Sequence, residues 1–202
     1  MDHFIKGFIA EVQSTLATLP TAEIARGLNE LLATYERDGH IYVFGNGGSL
    51  SLATHWVSDF NKSVFSHRLD DGTRRFRAIR LPTTEEELSA WSNDVGYEMV
   101  FAGPLENYIQ ELDCVIAISS SGSSPSILRA VELARRHHVP VIGLSGFDGG
   151  KLRELADVRI HVPTAPGAYG IVEGIHAVIL HLFTKYFQDY FDHEAARAQG
   201  KP

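Results

Sequence analysis

Short apolar runs alternate with amphipathic segments along most of this sequence. Apolar residues recur every four positions from Phe4 to Leu16, and a second helical pattern runs from Ile24 to Tyr35. Pro20 separates the two patterns. The beginning of the chain is therefore predicted to form two amphipathic helices.

Five apolar runs follow, each four to six residues long and rich in β-branched or aromatic residues. They cover residues 41–44, 76–81, 114–118, 140–144 and 158–162. Helical patterns lie between and after them, near residues 49–64, 84–91, 97–110, 124–137 and 168–190. Strands that alternate with helices predict βαβ units, a parallel sheet and an α/β fold. In such a sheet, ligands bind at the carboxyl ends of the strands.

Length and composition narrow the class of protein. The chain has 202 residues, 44% of them hydrophobic, and a net charge of −7. This predicts one domain over residues 1–202, with a helical pair at 1–38, an α/β core at 39–192 and a tail at 193–202. The acidic balance argues against nucleic-acid binding. No apolar stretch approaches the length of a membrane span, and the single cysteine favours a reducing compartment, so we expect a cytoplasmic protein without membrane contact.

Two predicted strands end in loops that are suited to binding a phosphate group. Gly45-Asn46-Gly47-Gly48-Ser49 follows the first strand, and Ser119-Ser120-Ser121-Gly122-Ser123-Ser124 follows the third. Glycine lets the backbone approach a ligand closely, and the first N–H groups of a helix attract anions. Taken alone, either loop fits a flexible turn followed by a helix cap as well as it fits a ligand site. Two such loops after strands of one sheet favour a bound ligand.

The spacing of the glycines excludes two nucleotide-binding motifs. A dinucleotide fingerprint that begins at Gly45 would need glycine where the chain has Leu50. A phosphate loop that ends at Gly150-Lys151 would need glycine where the chain has Ser145. The predicted ligand is therefore a small phosphorylated molecule.

Histidine and carboxylate residues on two predicted helices form a second candidate site. His55 and Asp59 lie four residues apart and share a helix face, and Glu173, His176 and His181 lie on the last long helix. Imidazole nitrogens and carboxylate oxygens are zinc ligands. Residues eight apart on a helix are separated by ~12 Å of rise, so spacing alone favours His176 over His181 as the partner of Glu173. The same residues are also compatible with ordinary surface pairs on amphipathic helices.

The two loops, together with the pair Asn93-Asp94, resemble the sugar isomerase (SIS) domain family and, within it, the phosphoheptose isomerases. The resemblance extends over about residues 4 to 190. It implies a five-stranded parallel sheet flanked by helices, in a flavodoxin-like three-layer sandwich with two leading helices. It also implies a homotetramer with active sites at the subunit contacts.

The resemblance assigns roles to individual residues. The implied catalytic residues are Asp59 and His181, and the implied ligands of one Zn²⁺ per subunit are His55, Asp59, Glu173 and His181. The residues implied to bind the substrate are Asn46, Gly47, Gly48, Ser49, Asp59, Asn93, Asp94, Ser119, Ser120, Ser121, Ser124 and Glu173. The sequence departs from the family at three positions, where Asp59 replaces a glutamate, Glu173 a glutamine and Gly170 an aspartate.

The function that the resemblance implies is that of an aldose–ketose isomerase acting on a small-molecule sugar phosphate. Sedoheptulose 7-phosphate would become D-glycero-D-manno-heptose 7-phosphate through an enediol. A carboxylate such as Asp59 suits proton removal next to a carbonyl, and an imidazole such as His181 suits proton transfer between oxygens. The alternatives are an isomerase of another sugar phosphate and a non-catalytic SIS protein that binds phosphosugars or a replication initiator.

Overall fold

A computed structural model describes residues 1–66, 68 and 72–198. The strands of its sheet are β1 (His40–Gly45), β2 (Arg77–Arg80), β3 (Cys114–Ser119), β4 (Val141–Ser145) and β5 (Val158–His161). Its helices are α1 (Asp2–Leu16), α2 (Thr21–Glu36), α3 (Gly48–Asn61), α4 (Glu85–Asp94), α5 (Ala102–Tyr108), α6 (Pro125–Arg136), α7 (Gly150–Leu155) and α8 (Tyr169–Ala198). Single turns of 3₁₀-helix cover Ser63–Phe65 and Tyr97–Met99.

The five strands form one parallel sheet in the order β2–β1–β3–β4–β5. The chain moves outward from β1 to β2 on one side and then returns to place β3 on the other side. This reversal is a topological switch point, where loops leaving neighbouring strands diverge and open a crevice at their carboxyl ends. The predicted five-stranded parallel sheet is confirmed, and its crevice lies between the ends of β1 and β3.

Both faces of the sheet are covered, which explains why the central strands β1, β3 and β4 read as nearly continuous apolar runs. In β1, Ile41 and Val43 pack in one core with buried side chains of α2, α3 and α8, whereas Tyr42 and Phe44 pack in a second core with α5, α6 and α7. The first core is rich in aromatic side chains, including Trp56 of α3. The layers are thus helix, sheet and helix, as predicted for the flavodoxin-like sandwich.

The boundaries of several elements differ from the prediction. The predicted helix at 97–110 is split into the turn Tyr97–Met99 and α5. Helix α7 is only six residues long and was not predicted, because so short a segment carries no clear helical period. Helix α8 runs on to Ala198, so residues 193–198, expected in a tail, are helical, and residues 199–202 lie outside the described part.

The two leading helices differ in their environment. Helix α2 buries Ile24, Leu28 and Leu31 against the first core, next to β5. Helix α1 packs only its last turns there, while Phe4 and Phe8 are 75% and 44% exposed. Among the described residues, no helix is long and apolar enough to cross a membrane.

Candidate functional site

A polar pocket opens at the switch point between β1 and β3. It has a volume of about 230 Å³, and its lining includes Asn46, Ser49, Ile118, Ser119, Ser120, Ser121, Ser124, Tyr169 and Glu173. The two predicted phosphate loops therefore meet in one pocket. No lysine or arginine of the described chain lines it, so the donors that these residues offer to an anion are neutral.

Two helices begin at this pocket without a side-chain cap. The N-cap of α3 is Gly47, which has no side chain, and its φ of 53° is one that glycine adopts readily. The N-cap of α6 is Ser124, whose hydroxyl accepts no capping hydrogen bond within the described structure. By contrast, Thr84 caps α4 by accepting from the Glu87 N–H. In α3 the Ser49 and Leu50 N–H groups already donate to the Asn46 carbonyl, which leaves the Gly48 N–H for a ligand. Helix α6 begins with Pro125, which has no N–H, so its free donors begin at Ser126. The helix dipoles favour an anion at both positions.

The loop of residues 119–124, which we call the serine loop, is shaped by its own backbone and by the turn before α7. The Gly122 N–H donates to Ser119 Oγ over 3.1 Å, and Gly122 has a φ of 63°. A side chain at Gly122 would collide with the Gly149 carbonyl, so this position requires glycine. The Gly146 N–H donates to the Ser120 carbonyl over 2.9 Å. The loop after β4 therefore holds the serine loop in place.

Ser120 provides the clearest sign of a ligand in this pocket. Its side chain is only 5% exposed, and its hydroxyl finds no hydrogen-bond partner among residues 1–66, 68 and 72–198. A buried hydroxyl without a partner costs free energy, so such groups in native proteins usually meet a ligand or a water molecule. A phosphate oxygen would satisfy it.

Asn46 and Glu173 occupy two further sides of the pocket. The Tyr97 hydroxyl donates to Asn46 Oδ1 over 2.9 Å, and Asn46 Nδ2 donates to Ser126 Oγ over 3.1 Å, which fixes the amide. The carboxylate of Glu173 lies against Gly48, at the start of α3, where any larger side chain would clash with it. Glu173 thus adds a negative charge to a pocket that otherwise offers neutral donors.

The second candidate site lies further along α3 and α8. The Asp59 Oδ2 atom is 3.8 Å from His55 Nε2 and 3.6 Å from His181 Nδ1. The two imidazole rings meet edge to face, with centroids 4.9 Å apart. One ligand atom from each residue lies within 4.8 Å of the others. The structure therefore brings His55, Asp59 and His181 together, as predicted, and we call them the His–Asp–His cluster.

The geometry of this cluster fits a divalent metal ion. Zinc bonds of about 2.0–2.2 Å to nitrogen and oxygen place two ligands roughly 3–4 Å apart. Asp59 is held from both sides, because Ser63 Oγ donates to its Oδ1 over 2.9 Å and Thr184 Oγ1 donates to its Oδ2 over 3.2 Å. The His55 and His181 side chains are 47% and 58% exposed, so ligand atoms are accessible.

The other predicted site residues lie elsewhere in the chain. Glu173 is in the pocket and is not part of the His–Asp–His cluster. His176 is 1% exposed, and its Nε2–H donates to the Ser145 carbonyl over 3.4 Å. Burial lowers the pKa of His176 to about 4, so the imidazole is neutral. Asn93 donates to Asp94 over 2.7 Å at the end of α4, beside a separate cavity.

The chain that carries these two sites is similar to known proteins. A family profile described as SIS domain matches residues 4–146. The chain belongs to the SIS domain family. The phosphoheptose isomerase of Helicobacter pylori is 31% identical to this SIS domain protein over 197 residues, which cover 96% of the chain and 99% of the relative.

Solved structures agree with this assignment. A phosphoheptose isomerase structure from Francisella tularensis superimposes with a TM-score of 0.80 at 26% identity, covering 93% of this chain and 97% of that one. The structure of the Neisseria gonorrhoeae phosphoheptose isomerase has the same fold, with a TM-score of 0.81 at 24% identity over 93% of this chain and 98% of that one.

The loop motifs do not predict the contacts that two further residues make at this site. Tyr97 bonds to Asn46 from a 3₁₀ turn, and Phe147 places its ring 5.0 Å from that of Tyr169, which lines the pocket. Phe147 directly follows Gly146, and nothing in its spacing along the sequence connects it to Tyr169.

Proposed function

We propose that this SIS domain protein is an aldose–ketose isomerase that converts sedoheptulose 7-phosphate to D-glycero-D-manno-heptose 7-phosphate. Curated relatives of similar length carry the name phosphoheptose isomerase. The pocket between β1 and β3 supplies the phosphate site, and the His–Asp–His cluster supplies a base and an acid. The substrate is therefore a sugar phosphate that reaches both sites at once.

The observation that carries this proposal is the arrangement of α3 and α8. Both helices begin at the pocket and pack against each other, and both carry cluster residues further along. His55 lies seven residues after Gly48, which corresponds to ~10 Å of helix rise. An extended seven-carbon sugar phosphate spans roughly 10 Å from phosphorus to C1, taking ~1.5 Å per bond and allowing for the zigzag. The spacing suits a phosphate in the pocket and C1–C2 at the cluster.

The chemistry of the cluster residues matches a proton transfer between adjacent carbons. Asp59 removes a proton from C1 of the ketose, and the C2 carbonyl oxygen is protonated to give the 1,2-enediol. The base then returns the proton to C2 while the C1 hydroxyl loses its own, which leaves the aldehyde. His181 moves the protons between the two oxygens. Ser63 and Thr184 keep the Asp59 carboxylate oriented throughout.

We further propose that His55, Asp59 and His181 hold a Zn²⁺ ion, whereas Glu173, the fourth ligand that the family resemblance implies, lies in the pocket outside this cluster. A divalent ion would polarise the carbonyl and stabilise negative charge on the enediolate oxygen. The three cluster residues support this because their ligand atoms already converge.

Zinc stoichiometry tests the proposed ligands independently of activity. We expect one Zn²⁺ per chain in wild-type protein dialysed against zinc, and substantially less in His181→Ala. His193→Ala, on an exposed part of α8, is the matched control and should keep full stoichiometry. Equal zinc content in all three proteins would contradict the assignment.

Exposed apolar side chains support the proposed homotetramer. Phe4, Ile5, Phe8 and Ile9 of α1 are 44–75% exposed, and α8 exposes Val178, Leu182 and Tyr186. Contiguous apolar surface of this kind marks contacts between proteins. His181 lies beside the exposed side chains of α8, so a second subunit packed there would also reduce the exposure of the cluster.

A direct isomerisation assay tests the proposed reaction. Purified zinc-loaded protein is incubated with sedoheptulose 7-phosphate, and the aldose product is followed by NMR. We expect product to accumulate until equilibrium, with inorganic phosphate as a competitive inhibitor. Tight phosphosugar binding without turnover would overturn the proposal in favour of a non-catalytic SIS protein.

A further inference from the structure

We propose that Tyr169 is a phosphate-binding residue of this site, donating its phenolic O–H to the bound phosphate, and that Phe147 is a positioning residue that holds Tyr169 in place. The inference rests on the proposed function, because it takes the pocket between β1 and β3 as the phosphate site. Neither residue belongs to the two glycine- and serine-rich loops.

The described chain gives the pocket no positively charged side chain with which to bind a doubly charged anion. Its lining includes no lysine or arginine of the described chain and includes the carboxylate of Glu173. Within the described chain, hydrogen bonds from neutral groups therefore hold the phosphate, and each is stronger when water is excluded. A phenol hydroxyl adds one more neutral donor.

The size of the pocket places the phosphate end of the substrate beside Tyr169. A volume of about 230 Å³ is below the roughly 300–1,000 Å³ of sites that enclose whole small molecules. The unpartnered hydroxyl of Ser120 and the uncapped start of α6 lie in the same pocket. Tyr169 lines this pocket at the first residue of α8 and is 53% exposed, which puts it at the rim.

Phe147 supports the Tyr169 ring from outside the pocket. The two rings meet edge to face, with centroids 5.0 Å apart and an interplanar angle of 80°. Phe147 has a φ of 51°, a left-handed conformation that is unfavourable for a bulky residue. Strain of this kind persists where the surroundings enforce it, and it concentrates at ligand-binding sites.

The backbone next to Phe147 connects this aromatic pair to the serine loop. The preceding Gly146 N–H donates to the Ser120 carbonyl, and the Phe147 N–H donates to Thr164 Oγ1 over 3.4 Å. The turn that places the Phe147 ring against Tyr169 therefore also fixes Ser120.

Binding of inorganic phosphate to the zinc-free protein, measured by isothermal titration, tests the inference without relying on turnover. We expect Tyr169→Phe to weaken phosphate binding by about tenfold, the loss of one hydrogen bond to a charged group, and Tyr169→Ala to weaken it at least as much. Tyr108→Ala removes a similarly exposed tyrosine outside the pocket and should bind as wild type does. Unchanged binding in Tyr169→Ala would overturn the inference.

A double-mutant cycle tests the positioning role of Phe147. Asparagine tolerates the left-handed conformation, so Phe147→Asn removes the ring and keeps the turn. We expect it to weaken phosphate binding in wild type and to have no effect when Tyr169 is already alanine. An equal loss in both backgrounds would show that Phe147 does not act through Tyr169. If wild-type protein bound no phosphate at all, the phosphate site itself, and with it the proposed function, would be wrong.

Discussion

At the scale of single residues, the most unusual feature of the site is Glu173. Its carboxylate lies in the pocket that we propose for a phosphate dianion, against the start of α3. Two like charges at short range oppose binding. The phosphate must therefore overcome this repulsion through the hydroxyls and the uncapped helix starts.

Glu173→Gln should strengthen binding of inorganic phosphate, because it removes the charge and keeps the shape of the side chain. The expected gain is about 1 kcal/mol or more, the repulsion between two unit charges at close range in a watery environment. Titration calorimetry measures it, and Glu11→Gln on exposed α1 is the control. Weaker phosphate binding would mean that Glu173 serves the substrate through its charge.

The positions of the loop residues follow from the sheet alone, whereas the resemblance gave Glu173 two roles, in substrate binding and in metal binding, that spacing could not separate. Asn46 and Ser119 follow directly from their strands, so the sheet alone brings them together. Glu173 lies eight residues before His181 on a continuous helix, and ~12 Å of rise separates them. Only the packing of α8 against α3 places Glu173 in the pocket lining and His181 beside Asp59.

At the scale of elements, α1 and α2 have different roles that their similar patterns conceal. Helix α2 covers the sheet next to β5, so its removal would expose the first core. Helix α1 leaves Phe4, Ile5, Phe8 and Ile9 exposed and is the better candidate for subunit contacts.

Replacing Phe4 and Phe8 by serine should reduce the size of the assembly while the chain stays folded. Both side chains are exposed and belong to neither core of the described chain, so the loss falls on the interface between subunits. Light scattering gives the mass, and circular dichroism checks the fold. Leu112→Ser, a similarly exposed residue outside α1, is the control and should keep the full mass. The same mass for the double variant would argue against α1 as the interface.

Elements with a strong apolar signal were predicted well, and short elements were not. All five strands lie within one residue of their predicted bounds. The central strands β1, β3 and β4 are buried on both faces and therefore form nearly unbroken apolar runs. Helix α7 was missed, since it owes its form to the Gly149–Gly150 turn packed on the serine loop and not to periodicity.

At the scale of the whole molecule, buried His176 links stability to pH. Burial lowers its pKa from 6.5 to about 4 in the folded state. The fold therefore favours the neutral imidazole, and the unfolded chain takes up a proton first as the pH falls. Stability should be complete above pH ~6.5 and decrease toward pH ~4, by at most about 3 kcal/mol from this group.

His176→Gln should make the free energy of unfolding less dependent on pH between about 6.5 and 4, because glutamine does not titrate and can still donate to Ser145. Urea unfolding at a series of pH values measures the slope. His193→Gln changes an exposed histidine and should leave the slope as in wild type. An unchanged slope in His176→Gln would mean that other groups dominate acid unfolding.

The central claim is that Asp59 performs proton transfer on a sugar phosphate that is anchored separately in the pocket. Aspartate is one methylene shorter than the family's glutamate, so Asp59→Glu should retain measurable activity. The most direct measurement is the isomerisation rate of Asp59→Asn with sedoheptulose 7-phosphate, alongside its affinity for inorganic phosphate. We predict a rate lower by about 10²–10⁴-fold, the usual contribution of a general base, with phosphate affinity unchanged. A full isomerisation rate in Asp59→Asn would contradict the account.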